Sequence, residues 1–298
     1  MEASTGMLPG GYWDSTGVLH REFELAALTG RDEELLAQTR SCESASLVST
    51  VLSRAVRRLG DISPMTEDVA RQMLVADRQF LLLKLRQSTF GDLVRADIFC
   101  PWVDCGKRVS LAFGIDDVPV EEATERAPCH TLTLSRRAIE KDDPALREVS
   151  FRLPNGADQE AVSPLLSSNE AEALTVLLAR TVQRIGPCCS PRIEDVAALS
   201  PLARAEIEAA MEGLSPRIEL DIETTCSECG RVFLVPFDVQ HFFFGELRTD
   251  SELLYRQVHY LAYHYHWSET EIMGMPRNKR QRYVERLADE IERLNNGD

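Results

Sequence analysis

The chain has 298 residues, a formal net charge of −15 and 44% hydrophobic residues. That length suffices for about two domains, and the composition is ordinary for a soluble globular protein. The negative charge disfavours bulk binding to DNA or RNA, which depends on Lys and Arg that neutralise phosphates. No apolar run approaches the roughly 18 residues of a membrane span. The first residues lack the basic and apolar regions of a signal peptide, so we expect a cytoplasmic protein with protein partners.

The N-terminal segment, residues 1–92, is predicted to form a strand or hairpin and then helices. The stretch 18–28 follows two glycine-containing turns and alternates loosely in polarity, as an edge strand does. Thr29 and Asp32 have the spacing of a capping box, which predicts the start of a helix. Two further helices are predicted over residues 44–58 and 66–88.

Two segments, residues 93–120 and 218–247, share one pattern of strand, two cysteines, glycine, basic residue and strand. The cysteines are Cys100 and Cys105 in the first segment and Cys226 and Cys229 in the second. The glycine after each second cysteine permits a positive φ, which lets backbone N–H groups turn towards a thiolate. Four thiolates form a closed tetrahedral shell. The repeat therefore predicts one structural Zn²⁺ per chain, in a zinc ribbon split between the two segments.

The other cysteines lack such a partner motif and are interpreted as structural or incidental. They are Cys42, Cys129, Cys188 and Cys189. A disulfide framework is not expected in a reducing cytosol. The alternative interpretation of the repeat itself is two hairpins whose cysteines coincide by chance.

Between the two cysteine segments, residues 121–217 read as an inserted α+β segment. Strands are predicted near 130–135 and 147–153, and helices near 158–166, 169–184 and 201–212. The predicted fold class is therefore α+β. Helical N- and C-terminal parts surround a split four-cysteine ribbon that carries this insertion.

The final segment, residues 248–298, is predicted to be helical, with a capping box at Ser268 and Glu271. A basic cluster occupies the first turns of its last helix, where the helix dipole disfavours cations. The cluster consists of Arg277, Lys279, Arg280 and Arg282. One interpretation is a solvated basic face. The other is a docking surface for an acidic partner, with Trp267 and the neighbouring aromatic residues as anchors.

No catalytic motif accompanies these features. The sequence contains no His-Glu-x-x-His, no Gly-x-Ser-x-Gly and no phosphate-binding glycine loop. We therefore expect a protein that is not an enzyme.

Several short motifs, in order along most of the chain, resemble the T4-like bacteriophage baseplate protein family. They include both cysteine motifs and the stretches 8–12, 28–34, 76–92, 151–158 and 258–277. The resemblance implies a baseplate hub or assembly component of a contractile tail, in a phage or in a phage-derived contractile injection system. It implies other baseplate or hub proteins as partners, and it supplies no catalytic residues.

The sequence therefore favours a zinc-containing structural or assembly protein of a baseplate, either cytoplasmic or incorporated in the particle. One alternative is an assembly chaperone that is absent from the finished particle. An alternative from another class is a zinc-ribbon adaptor that binds nucleic acid, for which a basic, aromatic-lined ribbon face would be the mark.

Overall fold

The computed structural model describes residues 4–38, 45–139, 147–166, 168–249 and 251–296. The protein is a mixed α and β structure, in agreement with the predicted α+β class. It contains a cluster of four cysteines. Within the described ranges, no helix combines the length and apolar character needed to cross a bilayer.

A three-stranded antiparallel sheet opens the chain, formed by β1 (Ser4–Trp13), β2 (Leu19–Leu25) and β3 (Val56–Leu59). Strand β2 lies within the stretch 18–28 predicted as an edge strand or hairpin, and it forms a hairpin with β1. It pairs with β3 as well, so it is the central strand of the sheet and the predicted edge position is wrong. Strand β3 was expected to be the end of a helix. That helix stops at Ala55 because Val56 and Leu59 are buried in the sheet instead.

Four helices accompany the sheet: α1 (Gly30–Gln38), α2 (Ala45–Ala55), α3 (Glu67–Gln72) and α4 (Val75–Phe90). The predicted start of α1 is confirmed, because the Thr29 hydroxyl donates to Asp32 at 2.6 Å and the Asp32 N–H donates back at 3.4 Å. The helix predicted over 66–88 is two helices. Leu74 is extended between them and forms a β-bridge with Asn155, a pairing that no local pattern reveals.

The first cysteine segment forms a hairpin of β4 (Leu93–Phe99) and β5 (Arg108–Gly114), hereafter the first hairpin, followed by a short 3₁₀ turn at Ile115–Asp117. The chain then enters the insertion through β6 (Val120–Glu121). It returns through β11 (Arg217–Ile218), which pairs with β6 in antiparallel fashion. The entry and exit of the insertion are therefore adjacent.

Within its described residues, the insertion contains a four-stranded sheet and four helices, three of which contribute side chains to a core of its own. Its strands are β7 (His130–Thr133), β8 (Glu148–Phe151), β9 (Val182–Ile185) and β10 (Cys188–Cys189), and its helices are α5 (Gly156–Leu166), α6 (Glu170–Thr181), α7 (Ile193–Ala197) and α8 (Pro201–Leu214). The helix predicted over 169–184 ends at Thr181, since the next four residues pair with β8. Buried Val149, Phe151, Leu178 and Ile207 belong to this core.

The second cysteine segment forms the second hairpin, β12 (Asp221–Thr225) with β13 (Val232–Pro236). Four helices follow: α9 (Val239–Thr249), α10 (Ser251–Tyr265), α11 (Glu269–Met273) and α12 (Arg277–Asn296). Helix α9 was not predicted. It buries Phe243 and Phe244 in the largest core, which joins the N-terminal sheet, α2, α4 and the bases of both hairpins.

Candidate metal centre

The tips of the two hairpins bring four sulfur atoms together. The Sγ atoms of Cys100, Cys105, Cys226 and Cys229 all lie within 4.8 Å of one another. Two of the contacts between hairpins, Cys100 to Cys229 and Cys105 to Cys226, measure 3.8 Å between Sγ atoms. A tetrahedron with Zn–S bonds of about 2.3 Å has sulfur separations of about 3.8 Å. The spacing therefore fits a four-thiolate zinc site.

Each tip is shaped by a glycine in the left-handed region. Gly106 has φ +57° and Gly230 has φ +72°. A Cβ added at either position would meet nothing within 4 Å, so glycine is required by the backbone conformation and not by lack of space. The turns also close alike. The N–H of Cys100 donates to the Lys107 carbonyl at 2.8 Å, and that of Cys226 donates to the Arg231 carbonyl at 3.0 Å.

The thiols occupy a partly dry environment. Cys100 and Cys226 are buried beside Val109, while Cys105 and Cys229 are half-buried. Burial raises the pKa of the Cys100 thiol to about 12. The backbone N–H of Cys229 lowers the pKa of the Cys226 thiol to about 7. Four thiolates at this distance would repel one another, and a divalent cation among them removes that repulsion.

The donor set indicates a structural centre. Four thiolates complete a tetrahedral shell around Zn²⁺ and leave no position for a substrate or a reactive water. Elsewhere in the described part of the chain, no further group of three or more Cys, His, Asp or Glu side chains has ligand atoms this close together. The arrangement can therefore join the two hairpins, and it offers no open coordination position for catalysis.

A second contact joins the tips beside the sulfur cluster. Arg231 of the second hairpin pairs with Asp104 of the first and lies over the Trp102 ring, with its guanidinium carbon 5.2 Å from the ring centroid. Asp104 is largely exposed, so solvent screens this pair and its contribution to holding the hairpins together is small. The sulfur cluster is the dominant candidate for holding the hairpins together.

The other cysteines do not join the cluster. Cys129, Cys188 and Cys189 are exposed and form no disulfide. Cys42 lies outside the described residues.

The basic cluster at the start of α12 is not the four-residue surface that the sequence suggested. Arg280 is fully buried, and its guanidinium donates to both carboxylate oxygens of Glu33 at 2.9 and 3.1 Å. Arg277 donates to the same carboxylate at 3.0 Å and lies over the Phe90 ring. The unfavourable position of these cations at a helix start is offset by an acid within the same chain. A docking surface that includes Arg280 is therefore wrong.

The remaining members of the predicted surface differ in exposure. Lys279 and Arg282 are exposed, whereas Trp267 is half-buried. The Trp267 ring stacks on the Tyr265 ring, with 4.6 Å between the ring centroids, and packs edge-to-face with the Tyr283 ring, with 4.9 Å between the centroids. Glu33 was not identified from the sequence as a functional or structural partner. Its partner Arg280 is 247 positions away, too far for a local pattern to reveal.

Comparison with known proteins places most of the chain in one family. A family described as T4 bacteriophage base plate protein matches residues 14–244, a range that contains both cysteine pairs. A second family, described as one of unknown function, matches residues 247–298, so the resemblance noted at 258–277 falls in this second match. No curated protein and no solved structure matches the chain. Since the first match covers most of its length, the chain belongs to the T4 bacteriophage base plate protein family.

Proposed function

We propose that this chain is a structural or assembly component of the baseplate of a contractile tail, in a phage or a phage-derived injection system, stabilised by one structural Zn²⁺. Family membership supports the base plate role. The convergence of four Sγ atoms within 4.8 Å carries the zinc assignment. A closed thiolate set favours an architectural role over an enzymatic one.

The charges of the ribbon favour protein partners over the nucleic-acid adaptor. Two of its basic side chains are held by acids of the same ribbon: Arg108 pairs with Asp97, and Arg231 pairs with Asp104. These guanidinium groups have carboxylate partners already, and phosphate contacts would have to displace them. We expect negligible DNA binding at physiological salt, and a steep salt dependence with sub-micromolar affinity would favour the adaptor instead.

The proposed partners are other baseplate or hub proteins. We retain Lys279, Arg282 and Trp267 as a docking surface for an acidic partner, without Arg277 and Arg280. Replacing Lys279 and Arg282 with Glu should leave zinc content and thermal unfolding unchanged, because both side chains are exposed, and should block baseplate assembly. Normal particles with this variant as the only copy would show that Lys279 and Arg282 form a solvated face.

The experiment that tests the proposed function is quantitative mass spectrometry of purified particles beside the cell lysate from which they came. A fixed number of copies per particle identifies a structural component. Presence in the lysate alone identifies an assembly chaperone. Deletion of the protein with normal particle yield and morphology would contradict both roles, and a deletion complemented by the wild-type chain provides the control.

A further inference from the structure

The C-terminal unit, residues 251–296, packs on α1, α4 and α9 of the rest of the chain, and it makes buried polar contacts with α1. The body, residues 4–249, has a core that ends at Leu247 in α9. Within the described residues, that core includes no side chain of α10, α11 or α12. Apolar packing contributes as well, since Met273 is buried and lies against Gly30 of α1. Interfaces between units of one chain commonly resemble transient interfaces, which permit the units to separate.

A buried carboxylate of the body lies at the centre of this interface. Glu33, in the first turn of α1, is 4% exposed and accepts hydrogen bonds from Arg280 at 2.9 and 3.1 Å and from Arg277 at 3.0 Å. Arg280 is also held from its own unit, since its Nε donates to Gln257 at 2.8 Å. Removal of the unit would leave this carboxylate without both arginines.

Backbone hydrogen bonds hold the C-terminal unit against the start of α1 beside Glu33. The Gly30 N–H donates to the Met275 carbonyl and the Arg277 N–H to the Leu28 carbonyl, both at 3.3 Å. A Cβ at Gly30 would lie 3.0 Å from the Arg280 guanidinium and 3.1 Å from the Met273 Cα. Because Gly30 has no Cβ, the C-terminal unit can pack directly against the backbone of α1 at this position.

The division between the two family matches falls at the same place. The base plate family ends at residue 244 and the second family begins at residue 247, close to the junction of α9 and α10. The boundary lies inside α9, and the second match includes Leu247 of the main core together with all of the described C-terminal unit. Residues 251–296 therefore fall within a sequence family separate from the base plate family.

We propose that α1 carries a binding site for a separable C-terminal unit, centred on the carboxylate of Glu33, and that residues 251–296 are its ligand. The site recognises a helix start with two arginines about one turn apart, here Arg277 and Arg280. The bidentate pair supplies specificity, because the carboxylate is 4% exposed once the unit is bound and a ligand without the arginines would leave it unpaired and out of contact with water.

The test uses the full chain with a sequence-specific protease site introduced between Thr249 and Ser251. After cleavage, size-exclusion chromatography at a series of protein concentrations measures whether the two pieces remain associated. We expect co-elution of the wild-type pieces. Glu33→Gln and Arg280→Gln should each raise the dissociation constant by about 30-fold or more. Arg282→Gln removes the same charge from an exposed position two residues away and should have little effect.

Two further variants distinguish recognition from general loss of folding. Gly30→Ala leaves every charge in place but obstructs the approach, so it should also weaken association. The double variant Glu33→Gln with Arg280→Gln should have a smaller dissociation constant than the product of the two single effects predicts. Each single substitution already breaks the same pair, so their effects should not multiply. Zinc content of the body should stay constant throughout, which separates this result from the proposed function.

Three outcomes would overturn the inference. The wild-type pieces could separate on cleavage at all concentrations tested. They could remain equally associated in the Glu33→Gln and Arg280→Gln variants. The effects of those two substitutions could also multiply independently, which would show that the two side chains do not act as a pair.

Discussion

At the scale of single residues, Cys226 is the most buried of the four sulfur ligands, at 1% exposure. We predict that Cys226→Ser leaves three thiolates, abolishes stoichiometric zinc and lowers the free energy of unfolding by more than about 3 kcal/mol, since structural metal binding is largely folding free energy. Elemental analysis and thermal unfolding measure both effects.

The matched control is Cys188→Ser, which makes the same chemical change at an exposed cysteine away from the cluster. Its effect on the free energy of unfolding should stay within about 0.5 kcal/mol. Unaltered zinc content and unfolding in the Cys226→Ser variant would refute the metal site.

Asp77 is a buried carboxylate outside the sulfur cluster, and it gives a pH prediction. Burial raises its pKa to about 6, although it accepts N–H bonds from Gly10 and Gly11, both at 2.8 Å. An unfolded aspartate titrates near 3.9. Between these values the native state binds more protons than the unfolded state, so the contribution of Asp77 to stability grows as the pH falls.

Comparison with Asp77→Asn isolates this contribution, because asparagine does not titrate. The difference in unfolding free energy, wild type minus variant, should rise by up to about 3 kcal/mol between pH 7 and pH 4. Chemical denaturation of both proteins across that range measures it. A difference that is constant with pH, or that falls as the pH falls, would be inconsistent with the assignment.

At the scale of elements, Gly→Ala substitutions at two positions with equal free space should have opposite effects on stability. Gly230 has φ +72° in the tip of the second hairpin, whereas Gly213 lies inside helix α8, and neither has an atom within 4 Å of an added Cβ. Gly230→Ala should destabilise the protein by about 1 kcal/mol through the left-handed backbone. Gly213→Ala should stabilise it by up to about 1 kcal/mol through helix propensity. Thermal unfolding decides both signs, and effects of the same sign would contradict the conformational argument.

The elements that the sequence predicts correctly are those whose signals are local. The capping boxes at Thr29 and Ser268 mark helix starts because the bonds involved span three residues. Strand β3 and the break at Leu74 were missed, since each depends on pairing with a distant segment, β2 or Asn155. The four cysteines were predictable from the pattern of strand, cysteine pair, glycine, basic residue and strand that occurs in both hairpins. The partner of Arg280 was not, because Glu33 lies 247 positions away and no local pattern connects the two residues.

At the scale of the whole molecule, metal removal should affect one region selectively. The hairpin tips share only a small apolar cluster around Val109, whereas the insertion has its own core with Leu178 and Ile207. We predict that a chelator increases amide hydrogen exchange in β4, β5, β12 and β13 and leaves α6 and α8 protected. Mass-spectrometric hydrogen exchange measures this, and added zinc should restore protection. An equal increase in the insertion, or none in the hairpins, would contradict the predicted role of the metal.

The pairing of β6 with β11 shortens the loop that a metal bound by the four cysteines would close. Cys105 and Cys226 are 121 positions apart in sequence. Once Val120 and Ile218 are paired, however, the shortest path between the cysteines runs through only about two dozen residues, which lowers the loop-closure cost by about 1.5 kcal/mol. We therefore expect the insertion to close its own ends before the four cysteines capture zinc, so that metal binding is a late and local step of folding.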